Sequence, residues 1–350
     1  MTAPALPRPS TATTMAKVVG LLALAYLLYW LPTFYKASQV GTFIRVMTLV
    51  LAAMGLNMLT GYTGQISVGH GAFYGIGAYS VAILVGEYEW GHFPALAVGV
   101  ALSFVVGMAI GIPALRIRGM YLALVTLGLA ALFPQILQRF SDITGGTQGM
   151  RVSKFEAPEG SGLANDQWQY YVILAFVVVA FVLVRNVVRS RPGRAMVAIR
   201  DNEIAAEVMG VRLSAYKVLV FGISAALAGL GGGLLVFNTN YVSANSFTIE
   251  LSILILVMVV LGGVATPWGP VIGAVLVVYI PEWLPKNIPL LDVEGSALGP
   301  VLFAAVLILL MAVAPDGIMG LVRRIKGWAL RQRRAPDVPG PGPNDSVPSH

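Results

Sequence analysis

Apolar residues come in runs of about twenty, separated by short polar or glycine-rich stretches, from one end of the chain almost to the other. That run length is what an α-helix needs to cross the hydrocarbon core of a bilayer. The pattern predicts ten spans, at 18–34, 40–60, 66–86, 93–115, 119–137, 169–188, 217–238, 249–264, 269–284 and 298–319. Two of them, 249–264 and 269–284, are short and are separated by Gly262, Gly263, Pro267 and Gly269. Tilted helices and partly re-entrant segments both fit there. The fold class expected is all-α, a polytopic transmembrane helix bundle.

Composition agrees. The chain is 57% hydrophobic and 11% charged, with mean hydropathy +0.78, where a soluble domain carries about 25% charged residues. Its 39 glycines suit helices that must approach closely in lipid, where small residues set the distance between backbones. The net charge of +7 changes meaning once it is mapped. With the N-terminus inside and spans alternating, 17 of the 23 basic residues fall on the cytoplasmic side, 5 outside, and Arg45 within a span. Lys and Arg are retained on the cytoplasmic side of membrane proteins, so the pattern favours N-in, C-in and an even number of spans. The positive charge is therefore a topology signal beside anionic lipid headgroups, and nucleic acid is not expected as a partner.

These spans imply a cytoplasmic N-terminal segment over 1–17 and a membrane domain over 18–320. A basic, proline-rich cytoplasmic tail at 321–350 is expected to be disordered. Prolines 4, 7 and 9 precede the first apolar run, and no cleaved secretory signal is expected. The longest outer connection is 138–168. The longest cytoplasmic one, 189–217, holds good helix formers over 194–209 after Pro192 and Gly193, with Gly210 placed as a C-terminal cap. Its mix of Ala, Val and Met with Arg194, Arg200, Asp201, Glu203 and Glu207 predicts one or two short amphipathic helices lying across the cytoplasmic surface.

A second segment, 61–79, crowds six glycines together with Ser67, His70, Tyr74 and Tyr79. Gly71 and Gly75 form a small-x-x-x-small pair, which reads as helix packing. The same glycines would also permit an unwound backbone lining a pathway. His70 is an ionisable group in a span, near the cytoplasmic end, where a gate or a structural hydrogen bond fits better than a substrate ligand. Tyr121 and Thr126 open the fifth span and read either as pathway-lining residues or as an interfacial anchor and a packing residue. Gly229 and Gly233, within a glycine-rich seventh span, read as close packing. The glycine-rich turns at 61–79 and 261–274 share an orientation, which hints at an internal duplication.

Seven ordered blocks resemble the branched-chain amino acid permease family: G-Q-I-S-V-G-H-G-A-F-Y-G-I-G-A-Y (64–79), R-G-M-Y-L-A-L-V-T-L (118–127), T-G-G-T-Q-G-M (144–150), G-R-A-M-V-A-I-R-D-N-E-I-A-A-E-V-M-G-V (193–211), G-I-S-A-A-L-A-G-L-G-G-G-L (222–234), L-G-G-V-A-T-P-W-G-P-V-I-G-A (261–274) and A-P-D-G-I-M-G (314–320). The resemblance covers roughly 40–325 and is nearest the M-type, LivM-like subunit, which pairs with a homologous H-type subunit. It implies an importer driven by ATP, with two P-loop ATPase subunits that bind ATP and Mg, and an extracytoplasmic substrate-binding protein. It makes 193–211 the ATPase-coupling segment, carried by Gly193, Arg194, Ala198, Arg200, Asp201, Glu203, Ala206 and Gly210. Against the permease signature E-A-A-x-x-x-G, Ile204 stands where the glutamate would fall and Glu203 comes one place early.

What the chain lacks points the same way. It contains no G-x-x-x-x-G-K-[ST] for binding nucleotide phosphates, no cysteine, and only His70, His92 and His350, so neither a metal site nor an enzymatic constellation is expected. No acidic residue lies mid-span, where proton-coupled transporters commonly place one. An ion-coupled transporter is the remaining alternative, as are urea, short amides or other amino acids as cargo.

Overall fold

The computed structural model describes residues 26–115, 120–287 and 317–332, with 304, 305, 308 and 312. Eleven helices of more than one turn are labelled here: α1 Ala37–Leu56, α2 His70–Gly86, α3 His92–Ala114, α4 Met120–Arg139, α5 Asn165–Arg189, α6 Arg191–Asp201, α7 Glu203–Val208, α8 Leu213–Asn238, α9 Ile249–Gly262, α10 Gly269–Asn287 and α11 Gly317–Gln332. Residues 26–34 are also helical. Among the described residues six helices are long and apolar enough to cross a membrane: Ala37–Tyr62, His92–Pro113, Met120–Arg139, Asn165–Arg189, Leu213–Asn238 and Ala244–Gly262. His70–Gly86 and Gly269–Pro281 are shorter apolar helices. The protein is a helical membrane bundle. Most of the predicted span 298–319, and the start of 18–34, lie outside the described residues.

The bundle is organised around α8, which packs on α1, α2 and α3 together. Successive helical residues point about 100° apart, so the run Gly231, Gly232, Gly233 presents bare backbone in three directions. A Cβ on Gly231 would collide with the Thr48 carbonyl oxygen of α1, one on Gly232 with the carbonyl of Tyr74 in α2, and one on Gly233 would sit 2.6 Å from Leu96 of α3. Further along, a Cβ on Gly229 would run into the Ser103 hydroxyl of α3, and Gly77 of α2 rests directly on the Gly229 backbone. The Gly71 and Gly75 pair serves two neighbours: Gly71 lies against Ser252 of α9, and Gly75 against the Phe133 ring of α4. α1 is the most interior spanning helix, 78% buried over its apolar window, and α5 the most peripheral at 11%.

Several boundaries differ from the sequence expectation. The third span was expected from residue 66, but α2 begins at His70 and residues 64–69 form a non-helical segment leading into it. Hydropathy does not register this, because Ile66 and Val68 are apolar while the backbone is held by side chains. α1 continues through Asn57–Tyr62 as a widened π turn. Pro192 and Gly193, expected to precede the coupling helix, lie in the first turn of α6, where proline's missing N–H costs no hydrogen bond. α11 occupies residues 321–332, which were expected to be a disordered tail. That stretch is free of proline, and Ile, Leu, Ala, Arg and Lys support a helix; residues 333–350 lie outside the described residues.

The connection 138–168, expected on the outer side, also carries structure that periodicity did not predict. Met150–Arg151 pairs antiparallel with Tyr241–Val242, two residues per strand, too short to leave an alternation signal. Gly145, Gly146 and Gly149 adopt positive φ in the turn that leads there. The connection is then pinned by Phe155, whose ring lies 4.7 Å from Phe237 and whose carbonyl accepts from Gln169 Nε2 at 2.8 Å.

The crowding at Gly229 makes a direct test. Gly229→Leu should destabilise the chain by about 1–3 kcal/mol, the usual cost of overpacking, while Gly128→Ala, with nothing described within 4 Å, should leave it intact. Thermal unfolding midpoints in detergent compare the two; equal midpoints would show that α8 does not set the packing.

Candidate functional site

At one end of the bundle α6 and α7 cross beneath α5, α1 and α8. The helices are separated at Asn202, whose Oδ1 accepts from the Ala205 N–H at 3.0 Å and so caps α7. α7 ends in a glycine cap: Gly210 has φ +85°, and the Val211 N–H reaches back to the Ala206 carbonyl at 3.0 Å. Gly193 is buried where α6 leaves α5, and a Cβ there would collide with the carbonyl of Val188. Ile199 and Ala206 are buried toward the bundle, while Arg194 stays exposed.

The opposite face of this pair is apolar and open. Ile204, Val208 and Met209 are 71%, 81% and 84% exposed, and a groove of about 270 Å³ runs between α6 and α7 past Ala198, Ala205 and Met209. Two charged residues nearby reach back to the bundle, Arg200 and Glu203, while Arg194, Asp201 and Glu207 stay exposed. Arg200 Nη1 donates to the Gly61 carbonyl at 3.0 Å, and its Nε and Nη2 donate to Asp201 Oδ1 at 3.0 and 2.9 Å. Glu203, one place early against the permease signature, accepts from Lys217 Nζ of α8 at 2.7 Å. Ile204 occupies the outward position instead.

The five residues considered for a pathway do not gather around one cavity. Four of them hold the segment 64–69 and the start of α2 in place. Thr126 Oγ1 donates to the Leu122 carbonyl at 3.0 Å and accepts from the Val68 N–H at 2.9 Å. His70 lies between two hydroxyls, with Nε2 2.7 Å from Ser224 Oγ and Nδ1 3.3 Å from Ser67 Oγ. Ser224 has one proton and donates it to the Gly55 carbonyl at 2.6 Å, so it accepts from His70. That fixes the proton on Nε2 and leaves Nδ1 to accept from Ser67. Tyr74 Oη donates to Thr48 Oγ1 at 2.9 Å, joining α2 to α1. Tyr121 stands apart, 72% exposed on α4.

Sequence reading passed over Ser224, Lys217 and Asn57. Asn57, buried in the π turn, donates from Nδ2 to the Thr266 carbonyl and accepts at Oδ1 from the Ala265 N–H, both at 2.9 Å. Ala265 has φ +57°, a conformation that side chains disfavour, and the Asn57 amide holds it there. A lone amide inside an apolar run was the available signal, because such groups are rarely placed in a span without a partner.

A bundle of apolar helices long enough to cross a membrane, with an exposed apolar face at one end, fits a membrane permease. The sequence profile described as "Branched-chain amino acid transport system / permease component" matches residues 38–314, and the chain belongs to that family. It is 29% identical over 343 residues to the high-affinity branched-chain amino acid transport system permease protein LivM of Salmonella typhimurium strain LT2, spanning 91% of this chain and 78% of that one. Against the LivM of Escherichia coli strain K12 the identity is 29% over 350 residues, 92% of this chain and 80% of the relative. The permease protein LivH of the same strain is 26% identical over 321 residues, covering 84% and 96% respectively. No solved structure gives a significant match.

The Ser224 bridge yields a test. Ser224→Ala leaves the Gly55 carbonyl and His70 Nε2 without this partner, at a cost of about 1–3 kcal/mol. His70→Ala should cost a similar amount, and the double variant less than the sum, since both remove one network. Additive shifts in unfolding midpoint would mean the two residues act separately.

Proposed function

We propose that this chain is one of two permease subunits of an ATP-driven importer of branched-chain amino acids, working by alternating access. The observation that carries the coupling part of the reading is the exposed apolar face of α7 beside the α6–α7 groove. Apolar side chains this exposed, on short helices tied firmly to a membrane bundle, fit a protein-docking surface. The partner they suit is an ATPase subunit that binds ATP and Mg²⁺ itself and moves on hydrolysis. The similarity to both LivM and LivH supports a homologous second permease as the other half of the pathway. A soluble binding protein would deliver leucine, isoleucine or valine at the opposite face, where the pinned 138–168 connection lies.

A cytoplasmic-membrane protein with ten spans and both termini inside is the reading that the distribution of Lys and Arg supports, and it would put α6 and α7 in the cytoplasm. ATP binding can bias the switch between inward- and outward-facing states only by favouring one of them, and the docked α6–α7 pair is the contact that carries that preference into the bundle.

The absence of cysteine allows one label to test side and partner together. Val208→Cys should react with a membrane-impermeant maleimide in inside-out vesicles stripped of peripheral subunits and not in intact spheroplasts. Adding back the ATPase subunits should suppress the reaction. Labelling from the outer side would overturn the orientation, and labelling undiminished by the ATPases would overturn the docking face.

A further inference from the structure

The coupling segment touches the bundle at two polar ties, and the one made by Arg200 ends on backbone. The Gly61 carbonyl belongs to the last turn of the α1 extension, where carbonyls lack onward helical partners and the helix dipole favours a cation. Arg200 Nη1 meets it at 3.0 Å. Asp201 holds the other edge of the guanidinium through Nε and Nη2, which fixes the direction of the fork. The stem is fitted as closely as the head: Gly64 has φ +73°, and a Cβ there would lie 3.1 Å from Arg200 Cγ. The second tie, Lys217 to Glu203, joins α7 to α8.

Gly61 is one turn beyond Asn57, and Asn57 grips Ala265 and Thr266 in the turn between α9 and α10. A displacement of α6 that pulls on Gly61 is thereby passed across the six-residue π turn to a second glycine-rich turn, 208 residues from Asn57 in sequence. A π turn is a locally widened, poorly optimised piece of helix that commonly marks a functional site. The contacts form a continuous physical line from α6 to the α9–α10 turn, hydrogen bonds at each end joined through the backbone of the π turn.

Resting on the coupling reading above, we infer that Arg200 is the positioning residue that transmits motion of α6 to the bundle, through the Gly61 carbonyl and on through Asn57 to the α9–α10 turn, with Asp201 holding its guanidinium. Arg200 thus acts on the inner side of the coupling segment, while Ile204, Val208 and Met209 face the ATPase. The glutamate displaced by one place has the same sense, since it too is turned inward, onto Lys217.

The test uses the complete importer in proteoliposomes, measuring leucine taken up and ATP hydrolysed in the same preparation, with subunit composition checked on gels. Arg200→Met should lower leucine transported per ATP by about tenfold, the scale of one charge-assisted hydrogen bond, with all subunits present and hydrolysis retained. Asp201→Asn should lower the ratio less, and the double variant should fall no further than Arg200→Met alone, because Asp201 acts only through Arg200. Arg200→Lys, which keeps charge but loses the fork, should recover part of the ratio. An unchanged ratio, including one where uptake and hydrolysis fall together as a merely structural defect would cause, overturns the inference. So do losses that multiply in the double variant, and so does loss of the ATPase subunits from Arg200→Met, which would put Arg200 on the docking face. Failure of the coupling reading looks different: the native complex would then take up leucine without ATP.

Discussion

Where α2 crosses α8, the backbone of Gly77 rests on that of Gly229 with no side chain between them; Gly231 likewise meets the Thr48 carbonyl of α1, and Gly229 and Gly233 admit Ser103 and Leu96 of α3. Lipid tails are as apolar as the side chains they would replace, so hydrophobic burial does little to hold helices together in a bilayer. Association comes from van der Waals contact and internal hydrogen bonds, and both need short backbone distances. Contact this close is what lets the hydroxyl of Ser224 reach the Gly55 carbonyl and His70 at once. Without bare backbone on α8 the polar groups of α1 and α2 would face lipid with nothing to bond.

The same economy governs the end that carries α6 and α7. Non-helical backbone buried among apolar helices needs protein partners for its polar groups, and the two irregular stretches have them. Residues 64–69 are held by Thr126, Ser67 and Gln65, and residues 263–269 by Asn57 and Thr266. Both stretches lie against the π turn of α1, and Arg200 closes the end of that turn. Rigid packing around α8 thus meets an assembly of turns whose geometry depends on a few identifiable hydrogen bonds. A bundle meant to switch between two states needs that division, because a uniformly packed interior transmits strain without a place to yield.

The sequence showed clearly whatever depends on length and punctuation. Apolar runs of about twenty residues gave most of the spanning helices to within a few positions, and Gly210 marked the end of the coupling segment because its backbone must be left-handed. Features that depend on long-range partners were hidden. His70, Ser67, Tyr74 and Thr126 looked open to a pathway role because no local pattern reveals Ser224 beside His70, 154 residues on, or the Val68 N–H on Thr126. Asn57 was lost in an apolar run, and the pairing of Met150–Arg151 with Tyr241–Val242 is too short to register. The glycine-rich turns at 61–79 and 261–274, similar only in outline as sequence, are brought into contact by the Asn57 clamp. The inward turn of Arg200 and Glu203 needed coordinates as well, since on a short amphipathic helix charge alone suggests solvent.

Uptake of labelled leucine into proteoliposomes tests the account most directly, using this chain with its paired permease, its ATPases and the binding protein. Leucine should accumulate against its gradient only when ATP is available to the ATPases and the binding protein is on the opposite side, and imposed proton or sodium gradients should have no effect. Accumulation driven by an ion gradient in vesicles that lack the ATPases would contradict the importer and move an ion-coupled transporter into its place.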